Sequence, residues 1–261
     1  MIIEQPAKWL RWLYPKATWR MDSSEKAVYL TFDDGPIPES TPFLLETLAR
    51  YGVKATFFVV GHNVEKHPEL FRQIVEQGHR IGNHTFHHLG SFKHWTTTYL
   101  IDAYECQKTI IRHQYEASPA GGGLEGWGDE KASPSRGRLE GWGDEKASPS
   151  RGRLEGWGGK KASPSWGRLE GALFRPPHGW MRHSIYYWLS KRYRIVMWDL
   201  VTRDYSKWLT ADDVYDNVRR YARNGSIVTF HDSLKSIDKL RTALPRAIEW
   251  LQAEGYEFKT I

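Results

Sequence analysis

The chain of 261 residues is 40% hydrophobic and 14% aromatic, a composition that provides enough apolar surface for a globular core. It holds no run of about eighteen apolar residues, so the sequence predicts no membrane-spanning helix. The net charge of +6 is spread along the chain and forms no basic stripe, which excludes the usual pattern of a nucleic-acid-binding protein.

The first predicted elements are a strand and a helix joined by a turn. The stretch AVYLTF at 27–32 is β-branched and aromatic and ends abruptly at DDGP, which is typical of a buried strand. The stretch ESTPFLLETLARYG is predicted to be a helix, with Ser40 or Thr41 as its N-cap, Pro42 in its first turn and Gly52 as its C-terminal stop.

Strands and helices continue to alternate along the chain. The further predicted strands are KATFFVVG, HRIGNH, ALF, RIVMWDL, SIVTF and YEFKTI, and the further helices are HPELFRQIVEQG, TTTYLIDAYECQKTIIRHQ, SIYYWLSKRY, TADDVYDNVRRYARNG and KLRTALPRAIEWLQAEG. Because strands that alternate with helices are parallel, we expect an α/β fold, a distorted (β/α) barrel of about seven parallel strands.

A tandem repeat interrupts this alternation after the third helix. The unit LEGWGDEKASPSRGR occurs twice between 124 and 153, and an imperfect copy follows. The segment 118–171 is rich in Gly, Ser and Pro, balanced in charge and without apolar periodicity, so we expect a disordered surface loop. A helix-to-strand connection lies opposite the catalytic face of a barrel, so the loop is expected to spare the site.

The predicted organisation therefore has four parts. An aromatic and basic segment at 1–26 precedes the barrel, whose two parts at 27–117 and 172–261 flank the repeat segment at 118–171. The stretch KWLRWLYPKATWRM alternates Trp and Leu with Lys and Arg. This pattern is typical of a segment that flanks or plugs the barrel, and weak contact with a membrane surface is the alternative.

The compartment is left open by the sequence. The N-terminal stretch lacks the uninterrupted apolar segment of a secretory signal peptide, so a cytoplasmic or membrane-peripheral location is the default expectation. Cys106 is the only cysteine, so no intrachain disulfide can form, which is compatible with a reducing compartment. We expect a monomer.

Polar residues directly follow several predicted strands. Because parallel strands begin their βα loops on one face, these side chains are expected to converge there. They are Asp33 and Asp34 after the first strand, His84 and His88 after the third, Arg175 after the fourth, Asp199 and Asp204 after the fifth, and His231 after SIVTF.

Some of these residues suggest a metal site, although each has another interpretation. Asp33 and Asp34 point in different directions from an extended backbone and can hold different roles, whereas Asp-Gly-Pro is also common in turns. His84 and His88 are spaced so that one helical turn directs both rings to a metal, with a structural pair, or His87 as ligand, as alternatives. Two histidines and Asp34 would leave open coordination positions, as catalytic zinc and non-haem iron sites require.

Five motifs together resemble one known family. The stretches TFDDGP, HTFHH, RPPHG, WDLVTRDY and TFHD are similar to the motifs of the polysaccharide deacetylases, the NodB-homology or family-4 carbohydrate esterases. Outside the repeats the resemblance covers nearly the whole chain. It implies a metal-dependent hydrolase that removes N-acetyl groups from a poly- or oligosaccharide and releases acetate. An O-acetyl carbohydrate esterase and a non-catalytic glycan-binding barrel are the alternatives.

The resemblance implies roles for the residues that match its motifs. Asp34, His84 and His88 would bind a divalent metal, Zn²⁺ by preference, with Co²⁺, Ni²⁺ or Mn²⁺ as alternatives. Asp33 would be the general base that takes a proton from the attacking water. His231 would be the general acid that protonates the departing amine.

Further residues would support this chemistry. Arg175 would pair with Asp33 and keep it ionised and oriented. The backbone N–H of His178, together with the metal, would stabilise the oxyanion. Trp180 and Trp198 are candidates for the apolar wall around the acetyl methyl group, with core packing as the alternative for Trp198.

Two positions depart from the family pattern. His178 stands where the family usually has Tyr or Phe, but a backbone N–H survives this change, so we expect activity to survive. The motif D-x-x-D-W reads VTRDY, with Val201 at the first Asp. We choose Asp204 as the residue that tunes His231, with Asp199 in reserve, and a helix-capping role for either Asp is the alternative.

Overall fold

The structure is a computed structural model that describes residues 4–116 and 171–261. The predicted repeat segment at 118–171 lies, except for Gly171, outside the described residues. The strands are β1 (Ala27–Asp33), β2 (Thr56–Val59), β3 (Arg80–Asn83), β4 (Leu173–Phe174), β5 (Arg194–Ile195), β6 (Leu200–Val201), β7 (Ser226–His231) and β8 (Glu257–Phe258). The helices are α1 (Lys8–Leu13), α2 (Thr41–Arg50), α3 (Gly61–Lys66), α4 (Pro68–Glu76), α5 (Thr96–Glu116), α6 (His183–Leu189), α7 (Ala211–Tyr221) and α8 (Ile237–Ala253).

The strands of the described residues form one sheet in which every pair is parallel. Seven of them follow the order β5-β4-β3-β2-β1-β7-β6, and β8 pairs with the first two residues of β1. The seven strands curl into a half-barrel, which confirms the predicted α/β fold with parallel strands. Among the described helices, none is both long and apolar enough to cross a membrane.

The stretch RIVMWDL was predicted as one strand, and this prediction is wrong. Its first two residues form β5 and its last residue, Leu200, begins β6, and these strands lie at opposite ends of the strand order. Between them, the N–H of Val196 donates to the carbonyl of Phe174 at 2.8 Å, and the N–H of Asp199 donates to the carbonyl of Ile227 at 3.0 Å. One extended segment therefore spans the opening of the half-barrel and bonds first to one edge and then to the other.

The N-terminal segment packs against the same opening. Thr18 donates to the carbonyl of Ile195 and accepts from the N–H of Met197, both at 2.8 Å, and Met21 donates to the carbonyl of Gly225 at 2.8 Å. Some of the aromatic side chains of this segment are buried by this packing. Tyr14 and Trp19 are buried in a core cluster with residues of α6 and β5.

Strand β1 lies at the centre of the sheet, and the alternation of its side chains positions the site. Val28, Leu30 and Phe32 face the helices, and the Phe32 ring stacks between those of Phe57 and Phe230 with centroids 5.1 and 5.6 Å away. Because side chains alternate along a strand, the odd-numbered residues face the interior of the half-barrel. Asp33 ends this inner row.

The predicted helix boundaries hold more closely than the predicted caps. Helix α2 begins at Thr41 with a proline in its first turn, but the Ser40 hydroxyl makes no capping hydrogen bond. The hydroxyls of Ser40 and Thr41 both donate to the buried carboxylate of Asp232 instead. A carboxylate without access to water needs such donors, and this explains why the Ser40 hydroxyl does not cap the helix.

Candidate active site

The carboxyl ends of β1, β3, β4 and β7 bring the predicted polar residues together. Asp33 and His231 are register partners on the adjacent strands β1 and β7. Asp34 follows β1 directly, His84 follows β3, and Arg175 follows β4. This arrangement results from the parallel sheet, since all these strands end on the same face.

Asp34, His84 and His88 form a cluster with the composition of a metal site. Oδ1 of Asp34 lies 3.6 Å from Nε2 of His84 and 3.2 Å from Nε2 of His88. One ligand atom from each residue lies within 4.8 Å of the other two. In the part of the chain that the structure describes, no second group of three such side chains is as compact.

The backbone holds these candidate ligands in unusual conformations. Asp34 has a φ of 83°, and its carbonyl accepts a hydrogen bond from Nδ2 of Asn63 at 2.8 Å. The two histidines were expected on one helical turn, but they lie on an irregular loop in which Thr85 and His88 have φ values of 66° and 55°. Positive φ is costly for residues with side chains and persists only where surrounding contacts enforce it.

The protonation states suit a divalent cation. Burial raises the pKa of Asp34, but its hydrogen bond with His88 and the charge of His231 outweigh burial and hold the pKa well below its usual range. Burial lowers the pKa of His84 to about 4. Nδ1 of His84 lies 2.8 Å from the carbonyl of Arg175, and if Nδ1 donates there the lone pair of Nε2 faces Asp34. An ionised carboxylate and neutral imidazoles are the forms that bind a metal.

Arg175 is buried and holds Asp33. Its Nη1 donates to Oδ1 of Asp33 and to Oγ1 of Thr31, each at 2.7 Å. Nη2 donates to the carbonyl of Met197 at 2.7 Å, and the guanidinium carbon lies 4.1 Å from the centroid of the Phe58 ring. A buried charge requires such complete pairing. The orientation of Asp33 therefore depends on the segment that spans the opening of the half-barrel, which supplies the carbonyl of Met197.

His231 is held by Asp204. Nδ1 of His231 lies 2.8 Å from Oδ1 of Asp204, and the backbone N–H of His231 donates to Oδ2 at 2.7 Å. Burial lowers the pKa of His231, but the charge of Asp204 and its hydrogen bond raise the pKa to about 9. His231 is therefore charged at neutral pH, with Nε2 as its second donor.

The reserve candidate Asp199 lies elsewhere. Its carboxylate accepts hydrogen bonds from Arg223 at 2.6 and 2.9 Å and from Arg11 at 3.0 Å, which ties the N-terminal segment to the barrel. Neither this residue nor Asp204 caps a helix, because the N-cap of α7 is Thr210, in a capping box with Asp213. The helix-capping alternative is therefore wrong.

The RPPHG motif forms a tight turn beside the cluster. His178 has a φ of 61°, and its ring centroid lies 4.8 Å from that of His88. Gly179 has a φ of 71°, and a Cβ there would lie 2.2 Å from the Trp198 ring. Glycine is required at this position because the backbone lies directly on the indole.

The two tryptophans proposed for the acetyl pocket lie in different environments. The Trp198 ring is half-buried against the core cluster, at a centroid distance of 5.6 Å from Trp19. It therefore packs in the core, which was the alternative interpretation of this residue. The Trp180 ring is exposed and contacts Trp9. An aromatic ring beside His231 was missed by sequence reasoning: the ring centroid of Tyr205 lies 4.7 Å from that of His231.

Two buried carboxylates were also missed. Asp102 of α5 accepts hydrogen bonds from the N–H groups of Phe86 and His87 and contacts Nδ1 of His87 at 2.6 Å, which makes His87 a partner of Asp102 and not a member of the ligand cluster. Asp232 lies under Gly35, where a Cβ would be 2.0 Å from its Oδ2, and burial raises its pKa to about 7. Asp232 could have been suspected because it follows His231 in TFHD, whereas nothing local links Asp102 to the HTFHH motif.

Comparisons with known proteins agree with this geometry. The sequence profile described as "Polysaccharide deacetylase" matches residues 20–120. A peptidoglycan-N-acetylglucosamine deacetylase of Bacillus cereus is 27% identical over 94% of this chain and 90% of its own length. A chitooligosaccharide deacetylase of Bradyrhizobium is 52% identical, but over 25% of this chain and 30% of its own length.

A solved structure extends the similarity to the whole fold. The structure of Bacillus subtilis PdaA, described as a family 4 carbohydrate esterase, superposes with a TM-score of 0.67 at 25% identity and covers 99% of this chain and 91% of that protein. The profile match, the full-length relative and the shared half-barrel point to the same conclusion. The chain belongs to the polysaccharide deacetylase family of hydrolases, the family-4 carbohydrate esterases.

Proposed function

We propose that this protein hydrolyses the N-acetyl groups of N-acetylated sugars in a poly- or oligosaccharide and releases acetate. The observation that carries the proposal is the pairing of Asp33 with Arg175 and of His231 with Asp204, directly beside the Asp34–His84–His88 cluster. One carboxylate and one protonated imidazole are thus held on neighbouring strands, as a base and an acid for the same substrate must be.

Asp34, His84 and His88 would hold a divalent metal, and we propose Zn²⁺, with Co²⁺, Ni²⁺ and Mn²⁺ as the ions to compare. Such an ion lowers the pKa of water and polarises the carbonyl of the acetyl group. The protein must keep the three ligands deprotonated and aligned. The low pKa of Asp34 and the contact between His84 and the carbonyl of Arg175 serve this purpose.

The residues of the chain move the protons. Asp33 would take a proton from the attacking water, while the new C–O bond forms at the acetyl carbon. His231 would then donate its Nε2 proton to the amide nitrogen as the C–N bond breaks, so that acetate and an amine leave. The backbone N–H of His178 would donate to the oxyanion between these steps. Arg175 stays charged and holds Asp33 throughout.

The substrate class is supported by the names of the relatives. One is described as acting on the N-acetylglucosamine of peptidoglycan and another on chitooligosaccharides, and both substrates contain N-acetylglucosamine. An N-acetylglucosamine polymer or oligomer is therefore the first substrate to test.

The test is acetate release from N-acetylglucosamine oligomers and from peptidoglycan by the full chain, after chelation and after one metal at a time is restored. We expect release that depends on the metal and is strongly reduced in Asp33→Asn. Wild-type protein with confirmed bound metal and no release from either substrate would overturn the proposal. Release from O-acetylated sugars alone would indicate an esterase, and glycan binding without release from any substrate would indicate a binding barrel.

A further inference from the structure

Two tryptophans from distant parts of the chain meet at the edge of the candidate active site. Trp9 of α1 is 55% exposed and Trp180 is 42% exposed. Their ring centroids lie 5.9 Å apart, and the ring planes are inclined by 38°. Two adjoining indoles that stay in solvent form an apolar surface of the kind that marks a binding site.

Trp9 is held in place by the buried side of its helix. Leu10 and Tyr14 are buried, and the Tyr14 hydroxyl donates to the carbonyl of Met181 at 2.6 Å and accepts from the N–H of Met181 at 3.1 Å. Arg11 pairs with the buried carboxylate of Asp199 at 3.0 Å. Tyr14, the residue after α1, is thus bonded to the residue that follows Trp180, and this contact holds α1 beside Trp180.

Trp180 is in turn connected to the catalytic loops. The Ser91 hydroxyl donates to its carbonyl at 3.2 Å, and Ser91 follows the HTFHH motif. Trp180 also stands two residues after His178, whose ring contacts that of the ligand His88. The paired indoles therefore adjoin the surface at which the acetyl group would react.

We propose that Trp9 and Trp180 form a sugar-binding subsite for a unit of the glycan chain next to the unit that is deacetylated. The faces of a pyranose ring carry C–H groups that pack against an indole, while its hydroxyls stay hydrated, so a half-exposed pair of rings suits a sugar. This inference rests on the proposed function and adds to it the two residues that bind a neighbouring unit of the glycan chain.

The contacts of α1 favour a glycan over a lipid surface. A helix that binds anionic lipid needs free cations beside its exposed apolar face. Trp12 and Leu13 are exposed beside Trp9, but the guanidinium of Arg11 is engaged by Asp199, and Leu10 faces the protein core. Continuity with the catalytic loops through Ser91 and Met181 is a feature that a glycan subsite requires and a membrane contact does not.

The experiment compares kcat/KM for an N-acetylglucosamine dimer and pentamer. Wild-type protein is expected to prefer the pentamer, and Trp9→Ala should reduce the pentamer-to-dimer ratio of kcat/KM about tenfold through KM, a change that corresponds to about 1.4 kcal/mol. Trp12→Ala is the matched control, since Trp12 lies on the same helix and is 88% exposed, and its ratio should equal that of the wild type. Trp9→Phe should retain most of the ratio because it keeps a ring.

A binding measurement separates this inference from the proposed function. Pentamer binding is measured by calorimetry in an Asp33→Asn background, where turnover is not needed, and should weaken with Trp9→Ala or Trp180→Ala but not with Trp12→Ala. An unchanged ratio and unchanged pentamer affinity in Trp9→Ala would overturn the subsite, whether or not the wild type releases acetate. Loss of binding to anionic vesicles in both Trp9→Ala and Trp12→Ala, with unchanged pentamer affinity, would overturn it in favour of a lipid contact.

Discussion

The floor of the candidate active site is formed by Asp33, Arg175, His231 and Asp204, and each of these charged side chains has a charged partner. At the rim of the site, Trp9 and Trp180 are instead about half exposed. The floor holds an arginine that is 1% exposed and an aspartate that is fully buried. Charges out of contact with water are tolerated only in pairs, so each floor residue depends on another. At the rim, by contrast, the two exposed indole rings would gain apolar burial only when a ligand covers them.

The largest effect is expected where the floor supplies a catalytic group. Asp33→Asn keeps the shape of the side chain and removes the base, so acetate release should fall by about 10²- to 10⁴-fold. Metal content, measured by mass spectrometry, should be unchanged because Asp33 is not among the three clustered ligands. Turnover close to that of the wild type would remove Asp33 as the base.

Breaking a pair in the floor should also destabilise the fold. Arg175→Met leaves the buried Asp33 carboxylate without its partner, and the free energy of unfolding should decrease by about 3–5 kcal/mol. Urea denaturation monitored by circular dichroism measures this change. Arg50→Ala is the control, because its pair with Glu46 is exposed and should contribute less than about 1 kcal/mol. Equal effects of the two substitutions would show that the floor does not depend on the pairing.

The pH dependence tests the acid. His231 must be protonated to act as the acid, so activity should be present below its pKa of about 9 and be lost as the pH rises through that value. Asp204 raises this pKa, so Asp204→Asn should move the alkaline limb of kcat/KM to lower pH. Asp199→Asn should leave the limb in place, because Asp199 pairs with Arg223 and Arg11. A limb that stays in place in Asp204→Asn would contradict the assignment.

The smallest effect is expected from deletion of the repeat segment, which joins α5 to β4. Helix α5 ends at Glu116 and β4 begins at Leu173, and it is the opposite end of β4 that leads to Arg175. Deletion of residues 124–168 should therefore change the rate of acetate release per site by no more than a few-fold. This outcome would support the division into two barrel parts and an inserted repeat. A collapse of the rate in a folded, metal-loaded protein would show that the insertion contributes to the site.

Features encoded by neighbouring residues could be predicted from the sequence. The apolar run AVYLTF identified the central strand, Pro42 and Gly52 marked the ends of α2, and Gly52 has the positive φ of 65° that stops a helix. The alternation of strands and helices predicted the parallel sheet. From the sheet it followed that Asp34, His84 and His88 would approach one another, because parallel strands end on the same face.

Features that join residues far apart in the chain were decided by the tertiary structure. The sequence could not show that RIVMWDL divides between two sheet edges, because that division depends on which strands flank the opening. It could not show that His87 pairs with Asp102, or that Trp9 lies on Trp180. Local propensity reports the conformation of a segment, whereas these contacts depend on burial and on partners that the closed half-barrel brings together.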